Sequence, residues 1–243
     1  MSYHLNIRRG EGGGASRWQR FESPCAAEDS VAHALEELGQ REFLQDETGE
    51  VAERIAWDCA CLEKKCGACA MVMSGRPALA CAVSLGAAAN PAGEITLEPL
   101  RKFPRIRDLH VDRDACFTAL QEMELWLEEE ADLTNRARRE LHYRAAGCLM
   151  CGLCLEVCPH FSAGGSFVGA MGVAAAFRVY DQSTEGSHRA SVGQAYRRRF
   201  FSGCTKSLAC QDICPAKVPV EKLLVKINAA AVWHRKQQWE KEK

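Results

Sequence analysis

Gly147-Cys148-Leu149-Met150-Cys151-Gly152-Leu153-Cys154-Leu155-Glu156-Val157-Cys158-Pro159 opens the stretch that decides how this chain is read, and Cys204-Thr205-Lys206-Ser207-Leu208-Ala209-Cys210-Gln211-Asp212-Ile213-Cys214-Pro215 closes it. The first run is C-x2-C-x2-C-x3-C-P, the spacing with which a short loop surrounds an iron–sulfur cluster. The second repeats it with Ser207 where its second cysteine would stand. The closing prolines turn the chain away from each loop, because proline has no N–H to donate and cannot extend a helix.

In paired runs of this kind the fourth cysteine of each run ligates the other cluster. One 4Fe-4S cluster is therefore assigned to Cys148, Cys151, Cys154 and Cys214, and the other site to Cys158, Cys204 and Cys210. Three thiolates suit a 3Fe-4S cluster. Ser207 is a poor fourth ligand, since an alkoxide forms at neutral pH far less readily than a thiolate. Loss of one corner changes the charge of the cluster, and with it the reduction potential.

Upstream, Cys61-Leu62-Glu63-Lys64-Lys65-Cys66-Gly67-Ala68-Cys69 is followed at a distance by Cys81. This is C-x4-C-x2-C…C, the plant-type spacing for a 2Fe-2S cluster. Gly67 allows close approach of the backbone, and a late strand over 77–83 is expected to deliver Cys81. Cys25, Cys59 and Cys116 remain and read as small, partly buried hydrophobes. The histidines are scattered and form no metal-binding pair; His160, two past Cys158, reads as a loop histidine beside the 3Fe-4S site.

The elements around these loops give the fold class, α+β. Residues 3–9 and 17–23 alternate and suit a hairpin across the glycine turn 10–14. Ser30 precedes Val31, Ala34, Leu35 and Leu38, an N-capped amphipathic helix. Residues 54–57 suit a short strand, and 93–100 a last one. Hairpin, helix, cluster loop and late strands predict a β-grasp ferredoxin domain over 1–105. Beyond it the pattern is helical, predicting an all-α domain of the bacterial two-cluster ferredoxin type over 106–243. Its helices are expected at 114–129, holding Phe117, Leu120, Leu125 and Trp126, at 136–144 as a basic helix or linker, and at 165–181, 190–200 and 220–238. Pro219 suits the start of the last, whose apolar face is Val220, Leu223, Leu224 and Ile227. Glu128–Glu130 reads as a solvated face.

Composition narrows the class. The 243 residues are 47% hydrophobic and 26% charged, with net charge −1, which leaves no electrostatic footprint for nucleic acid. The fourteen cysteines come without a signal-peptide core at the start and without an apolar run long enough to span a bilayer. That predicts a reducing, cytoplasmic setting and metal ligation rather than disulfides. Zinc sites take four ligands in paired cysteines and fit three groups totalling eleven thiolates poorly. No nucleotide-binding glycine fingerprint is present, because no helix follows Gly12–Gly14 directly. Nor is there a nucleophile–base arrangement. Such a chain moves electrons and borrows two-electron chemistry from a partner.

The order 2Fe-2S, 4Fe-4S, 3Fe-4S closely resembles the iron–sulfur subunit of succinate dehydrogenase and fumarate reductase. Cys66-Gly67-Ala68-Cys69-Ala70, Arg76-Pro77-Ala78-Leu79-Ala80-Cys81 and Phe103-Pro104-Arg105-Ile106-Arg107-Asp108-Leu109 carry the resemblance further. It implies a flavoprotein subunit with covalent FAD that interconverts succinate and fumarate, a membrane anchor that exchanges electrons with quinone, and a peripheral place on the cytoplasmic face of a bacterial cell membrane. Two departures stand out. Leu62 and Lys64 occupy positions where many members have arginine and glycine, so Lys64 is expected to take a glycine-like backbone. Where ubiquinone-reducing members carry tryptophan and histidine beside the 3Fe-4S site, this chain has Pro159-His160-Phe161-Ser162 and Thr205. The resemblance thus implies a menaquinone-linked anchor, with haem on or near it, and a quinone near Pro159, His160 and Thr205. The competing function is the same wire serving a soluble or other flavin-dependent reductase or dehydrogenase. Its thiol-coupled form is expected to carry a further cysteine-rich domain after Lys243.

Overall fold

The computed structural model describes residues 2–130, 138–183 and 186–233. They form two compact units. One runs to Arg113 and takes in Cys151–Glu156; the other holds the rest.

The first unit is built on a five-stranded mixed sheet. β1 (His4–Arg9) buries alternate residues, as period-2 patterning requires, and leaves Leu5 and Ile7 without solvent contact. β2 (Arg17–Glu22) pairs with it antiparallel and contributes Phe21 to the core. β3 (Leu44–Gln45) and β4 (Val51–Ala52) make a separate small hairpin. β5 (Ala70–Met73), β6 (Arg76–Leu79) and β7 (Glu94–Glu98) complete the sheet in the order β2-β1-β7-β5-β6. β7 runs parallel to β1, and a parallel pair needs a long crossover. That crossover holds α1 (Val31–Gln40) and the first cysteine loop. Ser30 caps α1 by accepting from the His33 N–H at 3.1 Å, worth about 1 kcal/mol, and Val31, Ala34, Leu35 and Leu38 are buried. This is the β-grasp ferredoxin arrangement.

The stretch that reads in sequence as a linker is instead a clamp. β8 (Arg105–Arg107) and β9 (His110–Val111) form a hairpin whose tip holds Asp108, 3% exposed and at φ 49°. Its carboxylate pairs with Arg9 Nε at 3.0 Å and accepts the backbone N–H groups of Gly10 and Ala56, each at 3.0 Å. Arg9 in turn donates to the Glu53 carbonyl at 2.9 Å, and Arg107 to the Arg54 carbonyl at 3.1 Å. Residues 54–57 are therefore irregular and not the expected strand: side chains satisfy the backbone groups that a ladder would otherwise take.

Two further expectations are corrected. Cys81 lies in a single 3-10 turn, Ala80–Ala82, just beyond β6, and not on a strand running to residue 83. α3 covers only Asp114–Glu122, because Glu124 at φ 55° breaks the helical path. Cys116 and Met123 are the buried residues there, whereas Phe117 and Trp126 are exposed. Glu128–Glu130 are exposed, as the sequence reading has it.

The second unit is helical. After α3 come α4 (Arg139–Ala146), α6 (Gly169–Gln182), α7 (Ser187–Tyr196), the short α8 (Ala209–Asp212) and α9 (Val220–Ile227); the one-turn α2 (Leu85–Ala88) and α5 (Leu153–Glu156) belong to the first unit. Residues 136–137 of the basic stretch and those from 234 onward lie outside the described residues. α6 is the hub, packing on α3, α4, α7 and α9. Gly172 leaves room for the Val168 side chain one turn earlier, at the N-cap of the same helix, since a Cβ there would sit 2.4 Å from it. Arg138 and His142 both bond Asp181 of α6. α9 turns its buried Val220, Leu223, Leu224 and Ile227 inward, as its spacing predicts. The π-helical turns Arg197–Phe201 and Asn228–Val232 extend α7 and α9, and Tyr196 donates to Asn228 Oδ1 at 2.7 Å in the core. No helix among the described residues is long and apolar enough to cross a membrane.

Asp108→Ala removes one partner of a buried ion pair and leaves Arg9 uncompensated. The expected loss is about 3–5 kcal/mol, read as a lower midpoint in urea unfolding followed by far-UV circular dichroism.

Candidate metal centres

None of the fourteen cysteines is in a disulfide. In the first unit, the loop after Cys61 turns sharply through left-handed residues: Leu62 at φ 54°, Lys64 at φ 65° and Gly67 at φ 78°. Lys64 thus adopts the backbone that glycine adopts without cost. The turn aims N–H groups at sulfur. Glu63 N and Lys65 N each donate to Cys61 Sγ at 3.3 Å, and Ala68 N to Cys66 Sγ at 3.4 Å. The two donors stabilise the thiolate and bring the Cys61 pKa down to about 7.

Cys69 and Cys81 differ. Both are buried, their sulfurs 3.3 Å apart. Burial pushes the Cys69 thiol up to about 12, and the neighbouring Cys81 and Cys66 thiols add to it. A buried Cys69 thiolate beside a second sulfur is unfavourable in an apolar setting without a cation at hand. A 2Fe-2S core, whose iron carries that positive charge, fits this donor set.

Cys151 and Cys154 flank Gly152, which sits at φ 84° and where a Cβ would lie 3.0 Å from the Phe103 ring, so a side chain there is both strained and crowded. Cys148 and Cys214 belong to the second unit. Burial raises the Cys148 thiol, with Cys214 beside it raising it further. Val218 N donates to Cys214 Sγ at 3.5 Å.

Cys158, Cys204 and Cys210 line one cavity of the second unit, together with Ser207, His160 and Thr205. Phe167, Phe200, Val220 and Leu224 give it apolar walls. Burial lifts the Cys210 thiol to about 11, with Cys158 and Cys204 contributing. Lys206 and Leu208, at φ 61° and 59°, shape the loop on either side of Ser207. His160 Nε2 and Thr205 Oγ1 are hydrogen-bonded at 2.9 Å across the cavity rim. Pro159 is exposed and outside the lining.

The remaining cysteines separate by environment: Cys116 is buried, Cys59 exposed and Cys25 half-buried. Cys25, Asp29 and His33 bring their ligand atoms within 4.8 Å of one another, a grouping that the scatter of histidines in sequence does not suggest. Arg9, Asp108 and Arg113 carry no motif that marks them in the sequence. The available signal was charge set among apolar residues in the stretch from Phe103 to Arg113.

A family described as "2Fe-2S iron-sulfur cluster binding domain" matches residues 4–118, and one described as "4Fe-4S dicluster domain" matches residues 144–218. The chain is 29% identical over 219 residues to the succinate dehydrogenase iron-sulfur subunit of Bacillus subtilis, covering 86% of this chain and 84% of that protein. It is 29% identical over 189 residues to the fumarate reductase iron-sulfur subunit of Wolinella succinogenes, covering 72% and 77%. A chain of the Mycobacterium smegmatis Sdh1 complex in the apo form superimposes with a TM-score of 0.74 at 19% identity, covering 98% of both chains, a likeness of fold.

Lys64→Gly removes a side chain from a left-handed position at which it costs roughly 1–2 kcal/mol. The variant is expected to keep its visible absorbance to a higher denaturant concentration than the wild type.

Proposed function

Because the chain belongs to the family of succinate dehydrogenase and fumarate reductase iron–sulfur subunits, we propose that it carries electrons between the FAD of a flavoprotein subunit and a quinone, menaquinone by our reading, at a membrane anchor. In this reading Cys61, Cys66, Cys69 and Cys81 hold a 2Fe-2S cluster. Cys148, Cys151, Cys154 and Cys214 hold a 4Fe-4S cluster, and Cys158, Cys204 and Cys210 a 3Fe-4S cluster. The domain limits that go with it are 1–105 for the 2Fe-2S domain and 106–243 for the two-cluster domain. The subunit sits peripherally at the cytoplasmic face, and haem, where present, belongs to the anchor.

The observation that carries the reading is the cavity shared by Cys158, Cys204, Cys210 and Ser207. Three thiols and one hydroxyl facing a single space support a cluster with one corner missing. The clusters supply one-electron chemistry; the chain's own residues do the rest. Thiols hold the metal. The N–H groups of Glu63, Lys65 and Ala68 stabilise negative charge on sulfur. Phe167, Phe200, Val220 and Leu224 give the last site apolar walls. His160 and Thr205, exposed and hydrogen-bonded to each other, present polar atoms at its rim. They suit a quinone oxygen there.

Ser207→Cys restores the fourth thiol of the incomplete run. The oxidised-state 3Fe-4S signal in low-temperature electron paramagnetic resonance is expected to vanish and a 4Fe-4S signal to appear on reduction. An unchanged signal would contradict the assignment. The function itself is tested by purifying the chain from membranes. A covalent-flavin subunit and succinate-dependent reduction of a menaquinone analogue should accompany it, whereas isolation with a soluble flavoprotein alone would contradict the anchor.

A further inference from the structure

Arg113 ends the first unit, and its side chain touches both the first cysteine loop and the first run of the second motif. Its Nη1 donates to the Gly67 carbonyl at 3.1 Å and reaches the Cys151 carbonyl at 3.5 Å. Its Nη2 donates to the Ala68 carbonyl at 3.0 Å and pairs with Asp58 at 2.9 Å. Asp58 is steadied in turn by His110 at 3.3 Å. The Arg113 side chain is 16% exposed, so solvent screens its charge only in part.

The covalent neighbourhood of these carbonyls matters. Ala68 C=O belongs to the peptide that carries the Cys69 nitrogen, and Cys151 C=O belongs to Cys151 itself. A single planar guanidinium therefore joins the peptide of one ligand cysteine to the carbonyl of another. Only arginine has donors fanned widely enough to reach three carbonyls and a carboxylate at once.

We propose that Arg113 is a positioning residue for electron transfer, bracing the 2Fe-2S loop against the Cys151 end of the 4Fe-4S run and raising the reduction potential of the 2Fe-2S centre with its fixed positive charge. The proposal rests on the ligand assignment given under Proposed function. Reduction adds negative charge to a cluster, and a nearby cation favours the more negative form. The same carbonyl contacts set the distance between the two loops.

The test uses the full chain carrying its clusters. R113Q is expected to lower the 2Fe-2S reduction potential by about tenfold in the one-electron equilibrium, ~59 mV. It also weakens the enhancement of 2Fe-2S spin relaxation by the neighbouring reduced cluster. R113K keeps the charge and holds the potential within twofold of wild type, but leaves the relaxation weakened, because an ammonium cannot span the carbonyls. D58N deletes the opposing carboxylate and moves the potential upward with relaxation unchanged. Unaltered potential and relaxation in R113Q overturn the proposal. If R113Q does not retain its clusters, D58N decides, and an unmoved potential there overturns it as well. A wild-type protein whose 2Fe-2S signal shows no relaxation by a second cluster would instead sink the ligand assignment.

Discussion

The architecture depends on one constraint: sulfur is gathered in places where burial works against the thiolate at Cys69, Cys148 and Cys210. Cys69 and Cys81 lie 3.3 Å apart and almost out of solvent, and burial sets the Cys69 thiol near 12. Cys210 sits in an apolar-walled cavity with two other thiols and is raised to about 11. Removing water penalises the thiolate, and only a positively charged metal core makes such a set favourable. Because ligands must lose their protons as they bind, metal loading and folding of these loops are coupled.

Geometry imposes a second demand. A short loop can point several sulfurs and N–H groups inward only by reversing direction within a few residues. This chain does so with left-handed residues that carry side chains: Leu62, Lys64, Met150, Lys206 and Leu208. Each costs roughly 1–2 kcal/mol relative to an unstrained residue. Strain of this kind persists where the surroundings over-determine it. The surroundings here are specific. Asp108, Arg9 and Arg107 hold the backbone leading into the first loop, and Arg113 holds its far side. Arg9, Arg107, Asp108 and Arg113 thus act on backbone carbonyls and N–H groups in and before the first cysteine loop.

Much of this was legible in the sequence. The hairpin, the Ser30-capped helix, the buried α6 and the inward face of α9 all follow from periodicity, because in each a local pattern and the tertiary environment agree. The candidate site is read from the sequence on a different ground: cluster loops have fixed cysteine spacings that few other structures need. The misses share a physical cause. Residues 54–57 look like a strand, but their backbone bonds to Arg9, Arg107 and Asp108, which are remote in sequence. α3 looks longer than it is, because Phe117 and Trp126 mimic an apolar face while the core takes Cys116 and Met123. The clamp around Asp108 and the brace at Arg113 consist of long-range polar contacts, to which periodicity is blind.

The central claim is that one chain carries three clusters of different type, the last with a missing corner. Mössbauer spectroscopy of the iron-57-enriched wild-type protein tests it most directly. The account predicts three resolvable components, 2Fe-2S, 4Fe-4S and 3Fe-4S, with iron divided among them as the cluster formulas require. Two indistinguishable four-iron components beside the 2Fe-2S one, or zinc in place of iron at any of the three sites, would contradict it.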